Sequence, residues 1–139
     1  MKQLVIYTSL TGNTKTFVDY LISKSKNDVD VGDFSTDISS YNRIAIGTYT
    51  WGNGNIPRKM KKFLIENKDN FKDKEIFLFG SGNSVYPKFC GAVNGMKIIT
   101  TDCGASIIGE FKFEQRFNPE ELTNEDHNLL NNIITKWNG

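Results

Sequence analysis

The residues best suited to binding chemistry lie in a polar turn at residues 8–14, which carries four hydroxyl side chains, one glycine and one asparagine. The turn follows an apolar run at residues 4–6 and precedes a segment with helical spacing that starts at Lys15. A strand that turns directly into a helix directs the free N–H groups of the helix, and the positive end of its dipole, at one point. The turn therefore predicts an anion site.

This turn contains no Lys or Arg before Lys15, so hydroxyls and backbone amides would have to hold the anion. Such a site suits a monophosphate ester better than a triphosphate with its metal. The Gly-x-x-x-x-Gly-Lys-Ser/Thr and Gly-x-Gly-x-x-Gly loops are both missing, which argues against a nucleotide triphosphatase and against a dinucleotide fingerprint. A simpler interpretation stays open, in which Thr11 or Asn13 only caps a helix.

Two further loops rich in Gly, Asn and Ser occupy residues 49–57 and 80–87. Each directly follows an apolar run that is typical of a buried strand. Each also carries an aromatic residue within the loop, Trp51 in the first and Tyr86 in the second. Aromatic side chains of this kind could cover a flat ligand.

Strand and helix patterns alternate along the chain. Strands are predicted at residues 4–6, 28–31, 43–48, 74–80 and 106–113, and helices at residues 15–22 and 57–67. A third helix follows the loop at residues 80–87 and ends at about residue 103. A last helix begins after Thr123, and its core stripe would be Leu129, Leu130, Ile133, Ile134 and Trp137. Residues 34–41 leave room for only about one helical turn, which is less than a usual crossover needs. The pattern predicts an α/β fold of one domain, residues 1–139, with a five-stranded parallel sheet in the order 2-1-3-4-5 and helices on both faces.

The three unusual loops follow the first, third and fourth strands, so they should share one edge of the parallel sheet. Ligands of such sheets bind beyond the carboxyl ends of the strands, where the strand order reverses. In this order the first and third strands are neighbours across that point, and the fourth lies beside them. A phosphate grip and two aromatic residues at one edge favour a planar, phosphorylated heterocycle as the ligand.

Bulk composition sets limits on the other function classes. The chain has 139 residues, 38% hydrophobic and 24% charged, with a net charge of +1, which gives no general argument for nucleic acid or a membrane surface. Cys90 and Cys103 make a poor disulfide framework, and the single His127 argues against a zinc site. We expect a reduced cytoplasmic protein without a signal peptide, a metal, a nucleic-acid partner or a membrane partner.

Three segments together resemble those of flavodoxins, the small electron carriers that contain FMN. Residues 9–14 resemble the phosphate loop of that family, residues 48–54 its first flavin loop and residues 80–93 its second. The resemblance extends over essentially the whole chain and implies the flavodoxin-like three-layer sandwich. All three segments occur in the family's order and spacing, which is more specific than any one of them.

The resemblance implies a set of cofactor-binding residues. They are Thr8, Ser9, Leu10, Thr11, Gly12, Asn13, Thr14, Thr48, Tyr49, Thr50, Trp51, Gly52, Asn53, Gly54, Ser81, Gly82, Asn83, Tyr86, Phe89 and Cys90. Those of residues 9–14 would hold the FMN phosphate. Trp51 and Tyr86 would lie against the two faces of the flavin ring, the Gly52 carbonyl would meet flavin N5, and Asn83 would face the pyrimidine edge. Cys90 aligns with a family cysteine, and no redox role is assigned to it.

The chain departs from the usual acidity of flavodoxins near the flavin. Asn53 and Asn83 stand where acids are common, and residues 58–62 read Arg-Lys-Met-Lys-Lys at the start of a predicted helix. Cations there oppose the helix dipole, so helix stability does not explain them. Three interpretations stay open: a solvated face, a docking site for an acidic partner, or a means of raising the potential of the fully reduced flavin.

The resemblance implies a low-potential carrier, not an enzyme with its own substrate. It would be a monomer that shuttles single electrons from an NADPH-dependent flavodoxin reductase to acceptor enzymes. An alternative is the flavodoxin-like activator of class Ib ribonucleotide reductase, which supplies oxidant for a manganese cofactor. The short segment at residues 34–41 and the Ser81-Gly82-Asn83 triplet favour this alternative, whereas Trp51, Phe89 and Cys90 favour a flavodoxin.

Overall fold

The structure, a computed structural model, describes residues 2–85 and 88–139. Strands and helices alternate in the described chain. The strands are β1 Lys2–Tyr7, β2 Asp28–Gly32, β3 Arg43–Tyr49, β4 Glu75–Gly82 and β5 Ser106–Glu114, and the helices are α1 Asn13–Lys24, α2 Arg58–Glu66, α3 Gly91–Asp102 and α4 Asn124–Asn138. Short 3₁₀ turns occur at Lys68–Asn70 and Pro119–Glu121. No helix among the described residues is long and apolar enough to span a membrane.

All five strands form one parallel sheet in the order β2-β1-β3-β4-β5. This confirms the predicted fold class and strand order. β1 is paired with β2 on one side and β3 on the other, so the chain reverses its direction of travel across the sheet after β2. The predicted edge position of the second strand is correct.

Alternate residues of β1, β3 and β4, with some from β5, enter two separate cores, one on each face of the sheet. Leu4, Ile6, Ile44, Ile46, Ile76 and Leu78 pack under α2 and α3, with Met60, Phe63, Leu64 and Met96. Val5, Ala45, Phe77, Phe79, Phe111 and Phe113 pack under α1 and α4, with Phe17, Leu21 and Trp137. Burial on both faces explains why these strands read as continuous apolar runs.

The connection between β2 and β3 contains no helix, in agreement with the short segment at residues 34–41 that left room for only about one helical turn. Its residues, 33–42, form turns without a helical turn. The Asp33 carboxylate accepts hydrogen bonds from the Ser35 amide and hydroxyl, and the Asp37 carboxylate does the same for Ser39. In these two successive turns the carboxylates accept hydrogen bonds from backbone amides, which favours turns over a helix in this segment.

The predicted stripe of the last helix is wrong at one position. Thr123 caps α4 as expected, since its hydroxyl accepts a hydrogen bond from the Asp126 amide at 3.1 Å. Leu130, Ile133, Ile134 and Trp137 are buried, but Leu129 is 45% exposed. Successive helix residues are about 100° apart, so Leu129 lies beyond the edge of the face that Leu130, Ile133, Ile134 and Trp137 form.

Candidate functional site

The ends of β1, β3 and β4 bring the three polar loops to one edge of the sheet. Tyr7 pairs with Gly47, and Tyr49 pairs with Ser81, so the strands end at nearly the same height. A pocket of about 570 Å³ opens between the loops, which is within the usual size range of ligand sites. Its lining residues are Leu10, Thr11, Asn13, Tyr49, Thr50, Trp51, Gly52, Asn53, Ser81, Gly82, Asn83, Lys88, Cys90 and Gln115.

The backbone of the first loop is arranged to present its amides. Thr11 and Gly12 both have left-handed backbones, with φ of 59° and 81°. The amides of Ser9, Leu10, Thr11, Gly12 and Thr14 donate no hydrogen bond to any acceptor in residues 2–85 and 88–139. So many unpaired N–H groups at a helix N-terminus are typical of an anion site.

The simpler interpretation of this loop, in which Thr11 or Asn13 only caps the helix, is wrong. The N-cap residue of α1 is Gly12, and no side chain caps the helix. The Thr11 hydroxyl instead donates to the Leu10 carbonyl at 2.6 Å. The Thr14 amide in the first turn of α1 thus stays unpaired among the described residues, as do the amides of residues 9–12 before it, whereas the Asn13, Lys15 and Thr16 amides donate to the Leu10 carbonyl, the Ser9 hydroxyl and the Gly12 carbonyl.

Other polar side chains of this loop have different surroundings. The Ser9 hydroxyl accepts a long hydrogen bond of 3.4 Å from the Lys15 amide. Thr14 is fully buried, and its hydroxyl lies 3.4 Å from that of Ser81 in β4. Thr14 therefore joins the first loop to the end of β4, and its side chain does not line the pocket.

The loop after β3 is closed by two backbone hydrogen bonds between Trp51 and Asn55, each 2.8 Å long. Gly52 and Gly54 within it have φ of 52° and 84°, a backbone that L side chains rarely adopt. The Trp51 side chain is 57% exposed, and its ring centroid lies 6.4 Å from that of Tyr49. This loop therefore presents a large aromatic surface that the rest of the described chain leaves uncovered.

The first residues of α3 pack closely against this loop. A Cβ atom on Gly91 would lie 2.8 Å from the backbone of Gly54, and one on Gly54 would lie 2.8 Å from the Lys88 side chain. The Thr50 hydroxyl also accepts a 3.4 Å hydrogen bond from the Ala92 amide. These contacts fix the loop after β3 relative to the loop after β4.

Cys90 is part of the pocket floor but is not a reactive thiol. It is fully buried, and its sulfur donates weak hydrogen bonds to the carbonyls of Gly80 and Phe113. Burial raises the pKa of the Cys90 thiol to about 12, so the thiol is protonated at neutral pH. Its left-handed backbone, with φ of 50°, starts α3 at the point where Gly82 approaches it.

The remaining predicted site residues are divided between the pocket, the core and a neighbouring groove. Thr48 is buried and donates to the Tyr49 carbonyl, and Phe89 packs against the core under α2 and α3. Thr8 and Gly54 do not line the pocket; they line a second cavity, which lies between α2 and α3 and is described below. The predicted ring contact from Tyr86 lies outside the described residues.

Sequence reasoning missed Lys88 and Gln115, which line the pocket, and Arg116, which follows them near the first loop. Gln115 and Arg116 come from the segment after β5. That strand ends in Glu114, whose carboxylate accepts hydrogen bonds from the Ser84 amide at 3.0 and 3.1 Å. No local motif in residues 114–117 signals this placement, because it depends on pairing β5 beside β4.

A second, larger and more open cavity of about 1480 Å³ lies between α2 and α3. Its apolar side chains include Ile65 and Ile98, which are 52% and 63% exposed. Four cations line it: Arg58, Lys59, Lys61 and Lys62. We call this surface the basic groove. It adjoins the pocket through Tyr49 and Trp51, which line both.

Comparison with known proteins identifies relatives for both the sequence and the fold. The sequence profile of the family described as Flavodoxin matches residues 5–128. Probable flavodoxins 1 and 2 of Bacillus subtilis are 33% and 31% identical to this chain, over 78% and 94% of it and over 74% and 90% of their own lengths.

Solved structures agree with the sequence relatives. A flavodoxin of Streptococcus pneumoniae TIGR4 has a TM-score of 0.81 and 26% identity, with 97% of this chain and 96% of that chain covered. A Fusobacterium nucleatum flavodoxin, solved bound to flavin mononucleotide, has a TM-score of 0.78 at 18% identity, with 98% and 96% covered. At that lower identity the second structure shows the shared fold only.

Proposed function

The chain belongs to the flavodoxin family, and from this membership we propose that it binds FMN and carries single electrons between other proteins. The observation that supports this most is the placement of five unpaired amides of residues 9–14 at the same sheet edge as the exposed Trp51 ring. One end of such a site suits a phosphate, and the other suits a flat ring. FMN would supply the one-electron chemistry, and the protein would bind it and set its potential.

The donor groups of the site fit a phosphorylated flavin. The unpaired amides of residues 9–12 and Thr14 are the donors that a phosphate ester needs, and the Thr11 side chain lines the same pocket. At the other end, Tyr49 and Trp51 provide apolar surface, and Asn53 and Asn83 provide amide groups for a heterocycle edge. The pocket volume of about 570 Å³ suits a ligand of this class.

Each residue of the site would contact a different part of FMN. Residues 9–14 would hold the phosphate, and Trp51 would cover one face of the ring. Asn83 would face the pyrimidine edge. The Gly52 carbonyl receives no hydrogen bond from a described donor, so it is free to meet flavin N5. Because glycine tolerates both signs of φ, the peptide at Gly52 would be able to change its orientation toward that atom.

We further propose that the basic groove receives an acidic redox partner. Arg58, Lys59 and Lys61 form no ion pair with another described residue, and Lys62 makes only a 3.8 Å contact with Glu66. A partner bound there would lie against Trp51, which the groove shares with the pocket. Electrons would then enter or leave beside the flavin ring. An NADPH-dependent reductase would be the donor, and the protein would act as a cytoplasmic monomer.

A second candidate is the activator of class Ib ribonucleotide reductase. The connection at residues 33–42, which contains no helix, favours it, because the short segment at residues 34–41 resembles the same part of this relative. Both candidates use the same flavin site. They differ in the potentials that the site must impose and in the acceptor.

An anaerobic redox titration of the purified protein tests the proposal. Two well-separated one-electron potentials, the second strongly negative, would support an electron carrier. Two close potentials would favour the activator. Failure of the apoprotein to bind added FMN, measured by quenching of flavin fluorescence, would contradict both and leave only the fold.

A further inference from the structure

Arg116 brings a positive charge to the first loop from the far end of the chain. The guanidinium Nη2 lies 3.5 Å from the position that a Cβ atom would take on Gly12, the N-cap residue of α1. The side chain is exposed and forms no ion pair with another described residue. A free cation therefore lies beside the unpaired amides of residues 9–14.

The backbone around Arg116 is anchored on both sides. The Gln115 amide donates a 2.7 Å hydrogen bond to the Gly82 carbonyl, and Gln115 has a left-handed backbone with φ of 46°. Phe117 is buried, and its ring centroid lies 5.0 Å from those of Phe17 and Tyr20 on α1. Since both neighbours are fixed, the start of the Arg116 side chain is held over the N-terminus of α1.

This placement does not help the fold by itself. The N-terminus of a helix carries the positive end of its dipole, and α1 has no acidic residue in its first turn. A cation beside it is repelled by the dipole and by the free amides. A left-handed backbone at a non-glycine residue is also a conformation that needs compensation. An anion between the amides and the guanidinium would remove the repulsion and explain the placement.

The nearest cation in sequence is already engaged elsewhere. The Lys15 ammonium pairs with the Asp19 carboxylate at 2.9 Å along the outer face of α1. That hydrogen bond and the Asp19 charge raise the pKa of Lys15. Residues 8–14 contain no cation of their own. The cation that lies beside them is Arg116 and not Lys15.

We propose that Arg116 binds the phosphate of FMN across the first loop and makes the site select the phosphorylated flavin over riboflavin. This inference rests on the proposed function of the pocket. A guanidinium offers a planar fork of donors that matches two phosphate oxygens, while the loop amides donate from the opposite side. The phosphate would be held between a fixed backbone and a charged side chain.

The test compares the affinities of the apoprotein for FMN and for riboflavin, measured by quenching of flavin fluorescence. In Arg116→Gln we expect FMN affinity to fall by about fivefold to thirtyfold, since the contact is charge-assisted but exposed to solvent. Riboflavin affinity should not change, and the salt dependence of FMN binding should weaken. Arg116→Lys should lie between the two, because it keeps the charge and loses the fork.

Lys26→Gln is a matched control, because it removes one exposed positive charge at the opposite edge of the sheet. It should leave the ratio of FMN to riboflavin affinity as in the wild type. Equal losses for both flavins in Arg116→Gln, or no loss for FMN, would overturn the role of Arg116 while the flavin site stands. Failure of the wild-type apoprotein to bind either flavin would instead overturn the proposed function together with this inference.

Discussion

The two ends of the pocket are built in different ways. The phosphate end, residues 9–14, consists of unpaired amides and left-handed residues, with the space around Gly12 open except for Arg116. The ring end consists of residues 49–54 and the start of α3, where Gly54 and Gly91 approach to 2.8 Å. Both ends use left-handed glycines, but only the ring end is tightly packed against another loop.

This difference indicates what each end contributes. The phosphate end would supply affinity for the phosphate group, because its N–H donors have no acceptor among the described residues. The ring end would supply a shape and an electrostatic surrounding, because its backbone is held by contacts with α3 and its aromatic surface is exposed. Substitutions at the two ends should therefore change different measurements.

The largest difference is expected between alanine substitutions at two left-handed glycines. Gly54→Ala should lower the free energy of unfolding by about 2–4 kcal/mol, since the new Cβ would lie 2.8 Å from the Lys88 side chain as well as adopting an unfavourable backbone. Gly12→Ala should cost only about 1–2 kcal/mol, because the backbone cost is the same but the space is open. Urea unfolding of both apoproteins, followed by circular dichroism, measures the difference. Equal losses would mean that the ring end is no more tightly packed than the phosphate end.

The second difference concerns flavin selectivity. Trp51→Ala should reduce the affinities for FMN and riboflavin by the same factor, about 5- to 100-fold, since ring stacking is common to both ligands. Thr11→Ala should reduce FMN affinity alone, by about 2- to 10-fold, because only FMN carries the phosphate. Fluorescence titration with both flavins gives the ratio directly. A change in that ratio for Trp51→Ala would contradict the division between the two ends.

A smaller effect is expected from the cations of the basic groove. Replacing Arg58, Lys59, Lys61 and Lys62 by Gln should lower the flavin potentials by an amount on the order of tens of millivolts, because the attraction for reduced flavin is exposed and screened. The same variant should lose the salt dependence of its oxidation by ferricyanide, an anionic acceptor, if the groove attracts negative partners. The control replaces Lys26, Lys68, Lys72 and Lys136 at the opposite edge of the sheet. No change in either measurement would leave the groove as a solvated face.

The smallest effect is expected at Cys90, which should resist modification at neutral pH. Its raised pKa, about 12, means that the folded and unfolded thiols are both protonated below about pH 9, and only the unfolded thiol ionises between pH 9 and 12. Stability should therefore decrease as the pH rises through that window, and Cys90→Ala should remove this part of the decrease. Mass spectrometry after iodoacetamide treatment at pH 8 should show labelling of Cys103, which is only partly buried, before Cys90. Early labelling of Cys90 would mean that the pocket floor opens to solvent.

The parallel sheet and the meeting of the three loops could be predicted from the sequence, because residues 4–6, 44–46 and 76–79 are apolar without alternation. Such runs must lie inside a sheet covered on both faces, and parallel strands place their following loops at one edge. These are properties of short segments and of chain connectivity. They do not depend on how individual side chains pack.

The placement of Arg116, by contrast, could not be predicted from local sequence. It depends on the left-handed backbone of Gln115 and on the packing of Phe117 against Phe17, which is 100 residues away. The burial of Thr14 against Ser81 depends in the same way on contact between β4 and α1. Sequence patterns identified the loops that form the pocket, and tertiary contacts determined which side chains complete it.

The β2 strand has a consequence for the behaviour of the protein at high concentration. As an edge strand it offers unpaired backbone groups to which another extended chain could add. It is only five residues long, and it carries Asp28 and Asp30. Two copies that joined along this edge would bring these carboxylates together, and their repulsion opposes the growth of a continuous sheet through many molecules. The charge on β2 therefore disfavours aggregation through this edge.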